Sequence, residues 1–321
     1  MKISIAMATY NGAKFLREQL ESFAGQTRPP DELVICDDGS TDDTVRIIEE
    51  FSRVCGFPVR LFKNEVNVGF VKNFERTISA CTGDLIALSD QDDVWLNEKL
   101  EVVEQLFLAN PDALVIINDL IICDGELNRT KYTKLGHLKA LGLEESYFIT
   151  GCCTTIKRVL LEVALPFPNQ LEAHDTWING VAELIGGRLV LRRPLQLYRR
   201  HESNTSDHIT SSRRRLSKLS LIRKYGMRDA REGWRKEIQS KRDYIDRLEE
   251  YKGTIDSLGR SENASWSIKK LRKDVDAFLS RLEIVSIPRW RRAPAVIKNW
   301  LVGNYSAFAG WKSAMKDVVR P

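Results

Sequence analysis

The chain has 321 residues, 43% of them apolar and 29% charged, a globular balance that excludes disordered and collagen-like chains and leaves room for about two domains. The net charge of +5 conceals a division: residues 1–207 carry 22 Lys and Arg against 31 Asp and Glu, while residues 208–321 carry 27 against 13. An acidic part suits a metal-dependent site, and a basic part suits an anionic partner such as lipid headgroups, a polyphosphate-linked acceptor or nucleic acid.

The elements follow in chain order. Ile3 to Ala8 reads as a buried strand. Phe15, Leu16, Gln19, Leu20 and Phe23 follow at helical spacing. Strands are expected at Leu33 to Cys36, Pro58 to Phe62, Asp84 to Leu88 and Ala113 to Ile117. The stretches between them, Thr41 to Phe51, Phe70 to Cys81 and Glu98 to Leu108, have helical periodicity. Strands and helices alternating in this way predict a mostly parallel sheet flanked by helices, with ligands bound beyond the carboxyl ends of its strands. Further on, Tyr147 to Cys153, Arg188 to Leu191 and Leu195 to Tyr198 read as strands, and Lys157 to Ala164 and Asp175 to Ile185 as helices. The basic stretch from Ser211 to Lys224 reads as a linker or a surface-bound helix. Residues 234–258 and 266–285 read as helical, the second with an apolar stripe of Ile268, Leu271, Val275, Phe278, Leu282 and Val285 that favours packing over partner binding. This divides the chain into a domain at 1–207 and a basic helical region at 208–321.

No apolar run approaches the roughly 20 residues of a spanning helix. The longest, Ala113 to Ile122, is broken by Asn118 and Asp119. The run Ile3 to Ala8 is too short for a signal-peptide core. Six cysteines without CxxC spacing read as reduced, buried thiols of a cytosolic protein, so the sequons at Asn128, Asn204 and Asn263 carry no meaning.

The residues after the strands carry the chemistry. The first strand ends in Thr9-Tyr10-Asn11-Gly12, a polar turn whose Gly lets the backbone approach a ligand. The second ends in Asp37-Asp38-Gly39-Ser40-Thr41-Asp42. Thr41 or Asp42 can cap the following helix, but capping does not require Asp37 and Asp38, and one of these suits a ligand N–H. Asn67-Val68-Gly69 forms another turn before a helix. The fourth strand ends in Ser89-Asp90-Gln91-Asp92-Asp93-Val94-Trp95, where three mutually repelling carboxylates suit a hard divalent cation, Mg²⁺ or Mn²⁺. A solvated acidic turn would not need the apolar strand before it or Trp95 after it.

These four motifs stand in the order and spacing of the family 2 glycosyltransferases, which have the GT-A fold, and the chain resembles them over residues 1 to about 205. The form Ser-Asp-Gln-Asp-Asp-x-Trp is similar to the rhamnosyltransferase-like branch. The resemblance implies that Asp38 accepts the base N3–H of a uridine or thymidine nucleotide. It implies that Thr9, Tyr10, Asn11, Asn67 and Gly69 line the nucleotide. Asp90 and Asp92 match the DxD pair that holds the metal, with Asp90 also at the ribose. The run Tyr198-Arg199-Arg200-His201-Glu202-Ser203-Asn204 resembles the family's Tyr-Arg-x-His-x-x-Asn segment, which places His201 at the metal and Arg200 at the diphosphate. His174-Asp175-Thr176-Trp177 opens a helix where the family places its general base, so Asp175 is expected to take the acceptor proton. His174 stands where Glu is commoner. Gly151 and Trp177 are expected on the acceptor side.

The implied activity is inverting transfer of one sugar from a nucleotide-diphosphate donor, dTDP-rhamnose first, to a glycan or lipid-linked acceptor in cell-surface polysaccharide synthesis. The processive QxxRW motif is absent. A dinucleotide oxidoreductase would need G-x-G-x-x-G after the first strand, and Thr9-Tyr10-Asn11-Gly12-Ala13-Lys14 lacks it. A nucleotidyltransferase of related architecture and a non-catalytic sugar-nucleotide-binding protein are the alternatives. No nucleic-acid partner is expected, because no aromatic-basic recognition motif occurs. The C-terminal clusters Arg213-Arg214-Arg215, Lys269-Lys270-Leu271-Arg272-Lys273 and Arg289-Trp290-Arg291-Arg292, with Trp300, Tyr305, Phe308 and Trp311 beyond, point to peripheral attachment to an anionic membrane surface from about residue 285. The expected location is cytoplasmic, on the inner face of the membrane.

Overall fold

A computed structural model describes residues 1–202, 209–213 and 230–320. The chain divides into two compact units, Met1–Glu183 with Gly187–Leu221, and Leu184–Gly186 with Ile222–Pro321. The boundary expected at 207/208, the segment 214–224 and Asn204 lie outside the described residues.

In the first unit, β1 (Ile3–Thr9), α1 (Ala13–Ala24), β2 (Glu32–Asp37), α2 (Thr44–Ser52), β3 (Val59–Lys63), α3 (Phe70–Ala80), β4 (Leu85–Ser89) and α4 (Lys99–Ala109) follow the expected alternation. The two-residue strand β5 (Val94–Trp95) precedes α4. Then come β6 (Val115–Cys123), β7 (Arg129–Thr133), α5 (Lys134–Leu141), β8 (Thr154–Lys157), α6 (Leu161–Ala164), α7 (His174–Leu184) and β9 (Arg188–Arg199). The strands form one sheet in the order β3-β2-β1-β4-β8-β6-β9-β5, with β7 on β6. Pairing is parallel from β3 through β4 and between β6 and β9, and antiparallel elsewhere. The sheet is therefore mixed, and its parallel part, β3-β2-β1-β4, carries all four motif loops at the carboxyl ends of its strands.

Three expectations need correction. Tyr147 to Cys153 is not a strand: two 3-10 turns, Glu145–Tyr147 and Gly151–Cys153, lead into β8. The second turn aims the Cys152 carbonyl at the Lys99 ammonium, 2.9 Å away, which an extended strand would not do. Lys157 to Ala164 begins in β8 and continues as a 3-10 turn before the four-residue α6. The two strands expected between Arg188 and Tyr198 are one, β9, whose register against β6 shifts around Asn118 and Asp119.

The core beneath β1, β2 and β4 is built from Ile3, Ile5, Met7, Leu33, Ile35, Leu85 and Ala87 with Leu16, Leu20 and Phe23 of α1 and Ile47, Ile48 and Phe51 of α2. Alternate strand residues supply one face and i, i+4 helix residues meet it. All six cysteines are free.

The second unit is helical: α8 (Arg231–Glu250), α9 (Lys252–Ser257), α10 (Ser261–Ser286), α11 (Arg292–Leu301) and α12 (Trp311–Val319). The apolar stripe of α10 lies inward, with Leu271, Val275 and Val285 buried, and α10 packs along α8. Lys241–Asp274 (3.6 Å) and Arg272–Glu249 (2.6 Å) bridge the pair. Among the described residues no helix is long and apolar enough to cross a membrane.

Candidate active site

The site grows out of the carboxyl ends of β1, β2 and β4. Thr9 ends β1, and its hydroxyl donates to Asp37 Oδ1 at 2.9 Å. Asn11 adopts φ 47°, a left-handed conformation that Asn tolerates better than most residues. Its Oδ1 accepts the Thr41 N–H at 2.8 Å, joining the β1 and β2 loops. Asp42 accepts from the first amide of α1, Ala13, at 3.1 Å and from Thr44 N at 3.0 Å, so one carboxylate serves two helix starts.

Asp38 is buried and organises the third loop. Its Oδ1 accepts from Val68 N and Asn64 Nδ2, both at 2.8 Å, and its Oδ2 from Gly69 N at 2.9 Å. Gly69 sits at φ +84°, which a side chain would strain, and Asn67 Oδ1 also accepts its N–H at 3.1 Å. Oδ2 retains a lone pair for one more donor. Asp38, Asn67 and Gly69 are thus joined, while Tyr10 lies exposed across the loop.

Gln91, between the first two carboxylates of the fourth loop, reaches back to β1. Its Oε1 accepts Tyr10 N at 2.9 Å and its Nε2 donates to Tyr10 O at 3.0 Å. A Cβ at Gly12 would lie 2.2 Å from Gln91 Oε1. The close approach that this glycine permits is therefore made by Gln91.

Asp90 and Asp92 flank Gln91 at the partly buried end of β4, and Asp93 is fully buried. Burial, then the charges of Asp92 and Asp175, push Asp90 up to about 7. Burial, then the charges of Asp92 and Asp90, hold Asp93 well above the usual range. Asp93 accepts from Gln196 Nε2 at 2.9 Å and from Arg199 N at 3.1 Å. His201 Nε2 lies 2.8 Å from Asp92 Oδ2, and its ring centroid is 4.6 Å from that of Phe15. Ligand oxygens of Asp90 and Asp93 and the Cys152 sulfur lie within 4.8 Å of one another. Carboxylates with an imidazole on one of them are donors of the kind that suit a hard divalent cation, and Asp90, Asp92 and His201 are residues that could hold one.

Arg199 is a clamp for this loop. Its Nε donates to Asp92 O at 2.8 Å, its Nη1 to Gly125 O at 2.6 Å and its Nη2 to Glu18. Arg200 donates its backbone N–H to Cys123 O at 3.2 Å, and its guanidinium carbon stands 6.0 Å from the Tyr198 ring.

The opposite wall comes from α7. Asp175, in its first turn, accepts the Thr176 N–H at 2.8 Å and is close enough for its charge to act on Asp90. A Cβ at Gly151 would lie 3.1 Å from His174 Nε2 and 3.5 Å from Asp175 Cβ, so Gly151 and Asp175 are adjacent. His174 is buried and stacked on Phe74 with centroids 4.0 Å apart. Neither of its nitrogens has a hydrogen-bond partner, and burial lowers its pKa. Trp177 is not at the site surface: it is buried, with its indole N–H on Ala164 O at 2.9 Å.

Sequence reasoning passed over Lys99. Its ammonium donates to Cys152 O at 2.9 Å and Gln196 Oε1 at 2.6 Å, and lies 3.8 Å from the Trp95 ring centroid. Burial lowers it to about 8. The signal was its spacing: Lys99 stands four and eight residues before Val103 and Phe107 on the buried face of α4. Gln196 gave a weaker signal, a polar residue between the buried Leu195 and Leu197.

An acidic cluster beyond the carboxyl ends of parallel strands, with separate loops gathered around it, marks the ligand-binding end of an α/β sheet. The family model "Glycosyl transferase family 2" matches residues 4–164, and the chain belongs to that family. It is 28% identical over 239 residues to the dTDP-rhamnosyl transferase RfbG of Shigella flexneri, covering 68% of this chain and 79% of the relative. It is also 28% identical over 186 residues to WfgD of Escherichia coli, a UDP-Glc:alpha-D-GlcNAc-diphosphoundecaprenol beta-1,3-glucosyltransferase, covering 55% and 68%. Against three other curated relatives the matches span 38%, 36% and 59% of the relative's length. Among solved structures, S. aureus TarS 1–349 in complex with UDP aligns at TM-score 0.54 and 18% identity over 85% of this chain and 92% of that one. The mannosyltransferase PcManGT from Pyrobaculum calidifontis, in complex with GDP-Man and Mn²⁺, aligns at TM-score 0.52 and 15% identity over 99% and 85%. At these identities the likeness is one of fold, the GT-A arrangement.

Proposed function

We propose that the chain is an inverting, divalent-metal-dependent glycosyltransferase that moves one sugar from a nucleotide-diphosphate donor to a glycan or lipid-linked acceptor. The observation that carries this reading is that the acidic loop after β4 and Asp175 of α7 meet the same turn: Cys152 lies within 4.8 Å of the Asp90 and Asp93 carboxylates, and a Cβ at Gly151 would lie 3.5 Å from Asp175 Cβ. Asp38, with Thr9, Asn11, Asn67 and Gly69, holds the nucleoside. Asp90 and Asp92 would hold Mn²⁺ or Mg²⁺ beside His201, and that cation would neutralise charge on the departing diphosphate. Arg200 adds positive charge to the diphosphate. Asp175 accepts the proton of the acceptor hydroxyl as its oxygen bonds to the anomeric carbon. The bond from that carbon to the diphosphate oxygen breaks, the diphosphate takes the electron pair, and the single displacement inverts the centre.

The relation to RfbG makes dTDP-rhamnose the first donor to test, and WfgD supports a diphosphate-lipid-linked acceptor of the kind used in cell-surface polysaccharide synthesis. Residues 1–207 form the catalytic domain in this reading and 208–321 a basic region that attaches to the inner face of the cytoplasmic membrane. Thermal stabilisation by a pyrimidine nucleoside diphosphate with Mn²⁺, compared with NAD, tests the reading. A shift with dTDP or UDP that disappears in EDTA is expected. Stabilisation by NAD alone would overturn it.

A further inference from the structure

The last two helices bury charged groups together with a small apolar cluster. Arg281, on α10, makes a two-point ion pair with Asp317 of α12, at 2.7 and 2.8 Å, with 5% and 0% of the side chains exposed. Tyr305 Oη donates to the same carboxylate at 3.1 Å. Arg292 is buried beside them, donating to the carbonyls of Val285 and Ile287 at 2.7 Å and of Arg320 at 2.6 Å. Ile284, Val296, Tyr305 and Ala314 complete a small apolar cluster. Fixed by charged groups on the inside, the helices turn large apolar side chains outward.

Trp311, Met315 and Val319 stand one turn apart on α12 and are 57%, 61% and 58% exposed. Ile297 and Leu301 repeat this on α11, and Trp290 and Trp300 are also exposed. A soluble surface normally scatters such residues singly. The charge on this segment is one-sided. Residues 287–320 hold seven Lys and Arg and one acidic residue, Asp317, which is fully buried. Lys312 and Lys316 flank the α12 stripe, and Lys298 lies beside Ile297.

We propose that the outward face of α11 and α12 is a lipid-docking surface, lying in the headgroup region of an anionic bilayer with Trp311, Met315 and Val319 inserted and Lys312 and Lys316 on the phosphates. Bulky apolar rows with a purely cationic border match that boundary, where apolar burial and attraction to anionic headgroups add. The border carries no exposed acidic group of its own, so an anionic surface meets no opposing charge along it. The inference deepens the membrane part of the proposed function and rests on that reading only for the identity of the membrane.

The test is co-sedimentation of the full chain with phosphatidylglycerol–phosphatidylethanolamine vesicles at low salt, set against phosphatidylcholine vesicles. Binding to the anionic vesicles is expected, weakened by high salt and by phosphatidylcholine. Trp311→Glu with Met315→Glu should lower it by roughly tenfold or more, the effect of withdrawing even one large side chain from an apolar medium. Lys312→Ser with Lys316→Ser should lower it and flatten its salt dependence. Equal binding by the Glu variant, no binding by the wild type, or a lipid-free dimer that the Glu substitutions dissociate would overturn the proposal. Stabilisation by dTDP with Mn²⁺, measured on the same variants, should be unchanged. Its absence in the wild type would count against the catalytic reading and leave the docking surface standing.

Discussion

The carboxylate cluster makes cation binding steeply dependent on pH. Asp90 is held at about 7 by burial and by the charges of Asp92 and Asp175, and a cation binds the ionised form. At pH 8 about a tenth of the metal-free protein then carries the proton on Asp90, and at pH 6 about nine-tenths. The apparent Mn²⁺ affinity should therefore fall roughly tenfold, about 1.4 kcal/mol, between pH 8 and pH 6. Calorimetric titration in buffers of different ionisation enthalpy reads the same effect directly. About one proton should be released per Mn²⁺ at pH 6 and almost none at pH 8. In Asp90→Asn, which lacks one of the two carboxylates that hold the cation, Mn²⁺ should bind more weakly at pH 8 and both the fall towards pH 6 and the proton release should shrink. Binding that is equal at the two pH values, or a proton release undiminished in Asp90→Asn, would refute the reasoning.

Three other outcomes follow from the geometry. Asp175→Asn should lower turnover by at least ~10², the usual contribution of a general base, while donor affinity holds; an equal loss of donor affinity would give Asp175 a binding role. Because Asp90 titrates higher in the folded chain than its ordinary 3.8, its ionisation destabilises the metal-free fold, an effect absent below pH 4 and complete above pH 7. Asp90→Asn in EDTA should thus be more stable than wild type at pH 8, by an amount on the order of 2 kcal/mol after allowance for partial exposure, and equal to it at pH 4; no gain in the pH 8 denaturation midpoint would contradict this. Asp317→Ala leaves Arg281 buried without its carboxylate and should destabilise the C-terminal helices by about 3–5 kcal/mol, read as faster amide exchange in α10 to α12, and unchanged exchange would refute the role given to this pair.

The first four strands and their helices were legible because each repeats its period over a run long enough to count. Ile3 to Thr9 is a fully apolar parallel strand but for Ser4 and Thr9, and α2 shows its inner face as Ile47, Ile48 and Phe51. β5 escaped because two residues carry no period, and β7 because Arg129–Thr133 is a polar strand that, among the described residues, pairs with β6 alone. The turn at Gly151 to Cys153 was unreadable for another reason: what bends it is a contact with Lys99, fifty-three residues away in sequence. The acidic residues announced themselves by position after β4, but the groups that govern them did not. Gln91, Lys99, Gln196 and Arg199 act by being buried or by reaching another loop, and spacing encodes neither. The C-terminal aromatics showed a composition without a direction. Tyr305 is buried, with its hydroxyl on Asp317, and Trp300 and Trp311 are exposed, a split that composition does not encode.

The measurement that bears most directly on the central claim is release of nucleoside diphosphate from a panel of sugar nucleotides led by dTDP-rhamnose and UDP-glucose, with Mn²⁺ and with EDTA, for wild type and Asp92→Ala. Release from at least one donor is expected with Mn²⁺, with loss of that release in EDTA and again in Asp92→Ala while the fold persists. Release that survives both EDTA and Asp92→Ala would contradict it.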